Sequence, residues 1–316
     1  MSLDPNLEAF LELAELGRLS GKSRPMHELS VEQAREEFSN TSHVLDPDPP
    51  GSVAVTPLSI PTRDGAMLQA RLYRASGQQG QALPTILYFH GGGYVVGDLD
   101  SHDPVCRRLA ASGRFAVLAP TYRRAPEAPF PTAADDASDC ANWLVEQAQA
   151  LGLAERFAVA GDSVGATLAT VLAAEAVITP EQQKLRPFAQ LLFYPVTDIS
   201  RQRDSHRRYA EGYLLETLTL EWFYQHYCTA EQRLDWRASP LLSPVTAPLA
   251  PTYLSLAEYD PLVDEGQAYA EHLRQGGTEV TLVLERGFTH DFLRMSGITD
   301  EVASIYRNAE QWLLAR

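Results

Sequence analysis

Ser163 stands between two glycines in Gly161-Asp-Ser-Val-Gly165, after the apolar run Ala158-Val-Ala and before an Ala/Leu/Val-rich stretch. That G-x-S-x-G spacing suits a sharp strand-to-helix corner, because the glycines let two elements approach while the serine hydroxyl projects from a strained turn. A serine so placed, with the next amide at a helix N-terminus, is a candidate nucleophile for acyl transfer. The pattern alone also fits a serine that merely caps a helix. A second run, His90-Gly91-Gly92-Gly93-Tyr94, follows the apolar segment Thr85-Ile-Leu-Tyr-Phe89. Consecutive glycines expose backbone amides that no side chain shields, as a developing oxyanion requires. No G-K-[ST] follows and the dinucleotide-binding spacing is absent, which disfavours a phosphate cradle. Gly91, Gly92 and Gly93 are the candidate donors, two of them joining the amide of Val164.

A nucleophilic serine needs a base, and the base needs an orienting acid. Pro251 to Asp260 reads as a strand that ends on Asp260, just before Pro261. Asp264 and Glu265 compete for the acid role, but they fall where a helix begins and so suit capping. Glu279 to Glu285 reads as the next strand, and its exit, Arg286-Gly-Phe-Thr-His290-Asp-Phe292, makes His290 the expected base. His90, beside the glycine run, suits loop orientation. His102, His206, His226 and His272 fall on helical stretches, where exposure is expected.

The elements that must carry these residues alternate. Strand signals cover Val53 to Ile60, Leu68 to Tyr73, Thr85 to Phe89, Ala116 to Pro120, Phe157 to Ala160, Gln190 to Tyr194, Thr252 to Leu256 and Val280 to Leu284. Helical patterns at about 102–112, 132–150, 164–177, 264–275 and 301–314 lie between or after them. Such alternation, with continuously apolar strands, predicts an α/β fold: an eight-stranded, mostly parallel sheet with helices on both faces. Upstream, Asp4 and Pro5 open a helix that Gly17 can end, Ser30 and Gln33 form a capping box for a helix from Val31 to about Phe38, and 46–51 reads as a linker. Residues 198–236 interrupt the alternation with a charged, aromatic-rich helical stretch. An insertion there lies beside the sheet's ligand crevice, so 1–50 and 198–236 are expected to form a helical cap over a core of 51–197 and 237–316.

His90-Gly-Gly-Gly-Tyr94 together with Gly161-Asp-Ser-Val-Gly165 resembles the hormone-sensitive-lipase-like esterases, bacterial family IV, of the α/β-hydrolase superfamily. Tyr122 to Pro131 with Asp135-Asp136, Tyr194-Pro195, Ala238-Ser-Pro-Leu241 and Asp260-Pro-Leu-Val-Asp-Glu-Gly266 resemble further landmarks in the family's order, across roughly residues 50 to 316. The resemblance implies Ser163, Asp260 and His290 as a catalytic triad, an oxyanion hole of loop glycines with Val164, and hydrolysis of short acyl, acetyl-type esters. An amidase or deacetylase would use the same machinery, and a non-catalytic small-molecule receptor, known on this fold, would lack the histidine that is present here. Three departures are visible: Val164 where alanine is common, Thr289-His-Asp-Phe292 where His-Gly-Phe is frequent, and Arg124 where leucine is usual.

Composition narrows the partners. The chain has 316 residues, 26 basic against 41 acidic, and a net charge of -15, which opposes nucleic acid and anionic membranes. No stretch reaches the ~18 apolar residues of a membrane span, and the start lacks a signal-peptide pattern. Cys106, Cys140 and Cys228 match no zinc or redox spacing and are expected to be reduced and buried, in keeping with the cytoplasm. The expected chemistry needs no metal or organic cofactor, only a small-molecule ester. An edge strand such as Val280 to Leu284 could pair two copies into a homodimer, although its apolar pattern equally suits burial.

Overall fold

The computed structural model describes residues 2–78, 80–244 and 247–316. Its strands are β1 (Val53–Pro61), β2 (Met67–Ala75), β3 (Leu83–Phe89), β4 (Ala116–Pro120), β5 (Leu153–Asp162), β6 (Ala189–Phe193), β7 (Thr252–Tyr259) and β8 (Val280–Thr289). They form one sheet in the order β1-β2-β4-β3-β5-β6-β7-β8. β2 is antiparallel to both its neighbours, and every other pairing is parallel. The chain leaves β3 for β4 and returns beyond β3 to β5, so β3 and β5 lie side by side with Phe89 opposite Gly161. Their C-terminal ends, the glycine run and the G-x-S-x-G corner, therefore meet at the reversal point of the sheet, where open α/β sheets bind ligands.

Strand residues alternate between two cores, as a two-residue period requires. Leu87, Phe89 and Val159 join the core under α4 (Thr132–Gln147), α5 (Val164–Ile178) and α8 (Val263–Gln275). Ile86, Tyr88, Ala158 and Ala160 join the opposite core under α3 (Asp103–Ala110) and α9 (Val302–Leu314). Both faces are covered, which explains why the central strands are apolar over most of their length.

The remaining helices lie in the N-terminal segment, α1 (Pro5–Leu19) and α2 (Val31–Leu45), and in the insertion, α6 (Asp204–Arg208) and α7 (Thr217–Tyr227). Asp4 caps α1 and the Ser30/Gln33 capping box opens α2. Gly17 does not stop α1, which continues to Leu19 until Gly21 takes a positive φ of 72°. α2 runs to Leu45 rather than Phe38 and ends at Asp46, the residue that Pro47 forces out of helical geometry. The 46–51 segment is also less slack than a linker: Asp46 is buried and accepts from Arg108 Nε at 2.8 Å.

Candidate active site

The corner after β5 is tight. Ser163 adopts φ +52° and ψ −122° and donates its amide to the Phe193 carbonyl at 2.9 Å. A Cβ on Gly165 would lie 2.0 Å from the Phe89 carbonyl oxygen, and one on Gly161 would lie 2.3 Å from the Gly165 carbonyl carbon. Neither position admits a side chain, so the glycines are a steric condition for the Ser163 conformation.

Three side chains from three strand exits converge there. His290 Nε2 lies 3.0 Å from Ser163 Oγ, and His290 Nδ1 lies 2.7 Å from Asp260 Oδ2. Asp260 Oδ1 accepts the Leu262 amide at 2.8 Å, which orients the carboxylate. All three are buried. Burial alone would lower the imidazole pKa, but the charge and hydrogen bond of Asp260 outweigh it, with help from Asp291 and Asp162, and His290 lies above its ordinary 6.5. The arrangement can draw a proton from Ser163 and hold the resulting imidazolium.

The glycine run divides its labour. Gly91 donates its amide to Asp162 Oδ1 at 3.0 Å, so this expected oxyanion donor is committed elsewhere. Gly92 (φ +115°) and Gly93 (φ +59°) occupy conformations that favour glycine, and a Cβ on Gly93 would lie 2.2 Å from the Phe223 ring. Among the described residues the amides of Gly92, Gly93 and Val164 have no protein acceptor, and all three residues line a cavity with Ser163 and His290. That cavity has a volume of about 380 Å³ and is walled by Phe10 and Phe38 from the N-terminal segment and Leu214 and Phe223 from the insertion.

Under this floor lies a network that residue spacing did not reveal. Asp162 accepts from Tyr88 Oη at 2.5 Å and approaches His102 Nε2 at 3.3 Å, while His102 Nδ1 lies 2.9 Å from Ser101 Oγ. Burial would raise the Asp162 pKa, but His102 and the Tyr88 hydrogen bond hold it at about 2. His102 is therefore not the exposed helical histidine expected, because a buried carboxylate requires a partner. The signal was available in the acidic residue of Gly161-Asp-Ser-Val-Gly165, which sits at the inner end of a buried strand. His90 is likewise buried, stacked on Tyr122 with ring centroids 4.4 Å apart, and burial drives its pKa down to about 3. It stays neutral in the loop, with Nδ1 2.7 Å from the Gly91 carbonyl.

Two further expectations are corrected. Asp264 and Glu265 do not cap α8: Asp264 accepts the Ser205 amide at 2.8 Å, and buried Glu265 accepts the Thr197 and Asp198 amides at 2.7 and 3.2 Å. Burial raises Glu265 to about 8. His206 is buried as well, its Nε2 3.7 Å from Glu265 Oε2, whereas His226 and His272 are half-buried. Both acids tie the root of the insertion to the segment that carries Asp260.

Known proteins share this arrangement of elements. Residues 86–294 match a family described as having the alpha/beta hydrolase fold. An ethyl acetate hydrolase of Pseudomonas putida is 50% identical over 305 residues, which cover 95% of this chain and 95% of that protein. An ester hydrolase from the metagenome of Lake Arreo superposes with a TM-score of 0.91 at 32% identity, covering 99% of this chain and 98% of the other. A thermostable esterase from Pseudomonas putida ECU1011 superposes with a TM-score of 0.90 at 32% identity, covering 98% and 95%. The chain therefore belongs to the hormone-sensitive-lipase-like family of the α/β-hydrolase fold.

Proposed function

We propose that this protein is a serine carboxylesterase that hydrolyses short acyl, acetyl-type esters through an acyl-enzyme. The observation that carries this reading is the relay Asp260–His290–Ser163, with distances of 2.7 and 3.0 Å, opening on a cavity beside amides that have no acceptor among the described residues. In the first step His290 takes the Ser163 proton as the hydroxyl attacks the ester carbonyl. The Gly92, Gly93 and Val164 amides hold the tetrahedral oxyanion, and Asp260 stabilises the imidazolium. His290 then protonates the departing alcohol. Water, deprotonated by the same imidazole, releases the acid and restores Ser163.

Short substrates fit the size of the site, since about 380 Å³ lies at the small end of ligand pockets, ~300–1,000 Å³. The P. putida relative named for ethyl acetate hydrolysis supports the same substrate class. Residues 1–50 and 198–236 act as the cap that shapes this space, and 51–197 with 237–316 supply the chemistry. Arg18 of α1 pairs with Glu216 at the start of α7, and His27 Nδ1 lies 3.1 Å from Thr219 Oγ1, so the two cap pieces meet. A cytoplasmic location and a homodimer paired along β8 complete the proposal. Three free, buried cysteines fit the first and the edge position of β8 fits the second. Among the described residues no helix is long and apolar enough to cross a membrane.

A series of p-nitrophenyl esters of increasing acyl length tests the reading. Turnover should be greatest for the shortest acyl groups and fall steeply with length. Equal rates on long chains, or no ester turnover at all, would oppose it.

A further inference from the structure

The residue after His290 departs from its backbone preference. Asp291 has φ +68°, a left-handed conformation in which glycine is at ease and side chains are not. Its carboxylate is gripped by Arg294, whose Nη1 donates to Asp291 Oδ2 at 3.0 Å. Arg294 is itself buried: its guanidinium stands 4.0 Å over the Phe38 ring and donates to Ser42 Oγ. Phe38 and Ser42 are one helical turn apart on α2, and Ser42 Oγ donates back to the Phe38 carbonyl at 2.6 Å. A backbone bond from the Gly297 amide to the Leu45 carbonyl, 2.8 Å, joins the same loop to the end of the same helix.

We propose that Arg294 is a positioning residue for His290, clamping Asp291 against α2 so that the N-terminal segment braces the base as well as roofing the cavity. The clamp replaces what glycine would supply for free at position 291. It rests on His290 being the base.

Several charges surround the imidazole. Asp260 faces it from the end of β7 and Asp162 from the end of β5, while Asp291 and Arg294 share its own loop. The cap adds Arg18, Arg24 and Glu37 to the wall of the same cavity. Without Arg294, Asp291 would stand uncompensated beside His290 and hold the imidazolium to higher pH.

The experiment is kcat and KM against pH for the full chain and five variants, each checked for folding by thermal melting. Arg294→Met should lower kcat about 10- to 100-fold with KM little changed, as expected for a misplaced base. Its acidic limb should move up by about half a pH unit. Arg294→Lys should keep the wild-type midpoint yet lose about tenfold in kcat, because an ammonium cannot bond Asp291 and Ser42 while stacking on Phe38. Asp291→Gly should lower kcat by only about threefold, because glycine tolerates the positive φ, and should move the limb down. Adding Asp291→Gly to Arg294→Met should return the limb to the wild-type position or below it. Wild-type kcat in Arg294→Lys, or a limb in Arg294→Met that does not move, would overturn the clamp. Should Arg294→Met fail to fold, Arg294→Lys and Asp291→Gly decide alone. Activity surviving in His290→Ala would instead overturn the assignment of the base, an outcome separable from failure of the clamp.

Discussion

Beneath the cavity, Ser163, Gly91 and Gly165 are held by backbone contacts and buried polar atoms; above it, Phe10, Leu214 and Phe223 are held by apolar packing, and Phe38 by apolar packing and the Arg294 guanidinium. The floor has little room for change, since the positions of Gly161, Gly165 and Gly93 each exclude a Cβ. The cap leaves more apolar surface uncovered. Leu13, Leu16 and Leu19 of α1, Val44 of α2 and Leu218 of α7 are all exposed. The contrast separates two tasks. On the proposed reading bond breaking belongs to the sheet edge and choice of substrate to the cap helices, with Phe38 and Ser42 of α2 the exception, since they also hold the loop after His290 through Arg294.

The most severe way to break this division is to remove the nucleophile. Ser163→Ala should abolish turnover, a loss on the order of 10⁶ in kcat, without lowering the melting temperature. Retained turnover would move the chemistry to another residue. The next largest effect should come from the support beneath the glycine loop. Asp162→Asn removes the charge that pairs with His102 and anchors the Gly91 amide, so kcat should fall on the order of 10² while organophosphate labelling of Ser163 persists. An unchanged kcat would show that the loop holds itself.

The pH profile sharpens the same distinction. Catalysis needs neutral His290, and its pKa is raised above 6.5, so activity should be lost as pH falls through a midpoint above that value. Full activity well below it would contradict the base. The smallest effect on chemistry should follow a change in the cap. Phe223→Ala opens space beside Gly93 and should leave acetate turnover within about threefold, while improving longer acyl esters about tenfold in kcat/KM relative to acetate. A variant that lost acetate turnover altogether would make Phe223 part of the floor.

Sequence reading recovered the parts whose physics is local. β3, β4 and β6 are apolar throughout apart from the buried Thr85 and Gln190, because both faces are covered, and their bounds were legible to within two residues. β5 and β8 extend further than expected, through Leu153–Arg156 and Glu285–Thr289, because those ends carry charged or glycine residues that do not read as strand. The convergence of Ser163, Asp260 and His290 was legible because each stands at a strand exit. His102, His206 and Glu265 were misjudged because helical position says nothing about which face another segment covers. Gly91 was grouped with its neighbours for the same reason: three identical residues in sequence became one anchor and two free donors only once Asp162 lay beneath them.

The most direct measurement is an acid quench of the protein during turnover of p-nitrophenyl acetate, followed by intact mass and peptide mapping. A single acetyl adduct on Ser163, absent from Ser163→Ala and accumulating in the pre-steady-state burst, is the expected result. An adduct on a different residue, or ester turnover that persists in Ser163→Ala, would contradict the assignment of Ser163 as the acyl carrier.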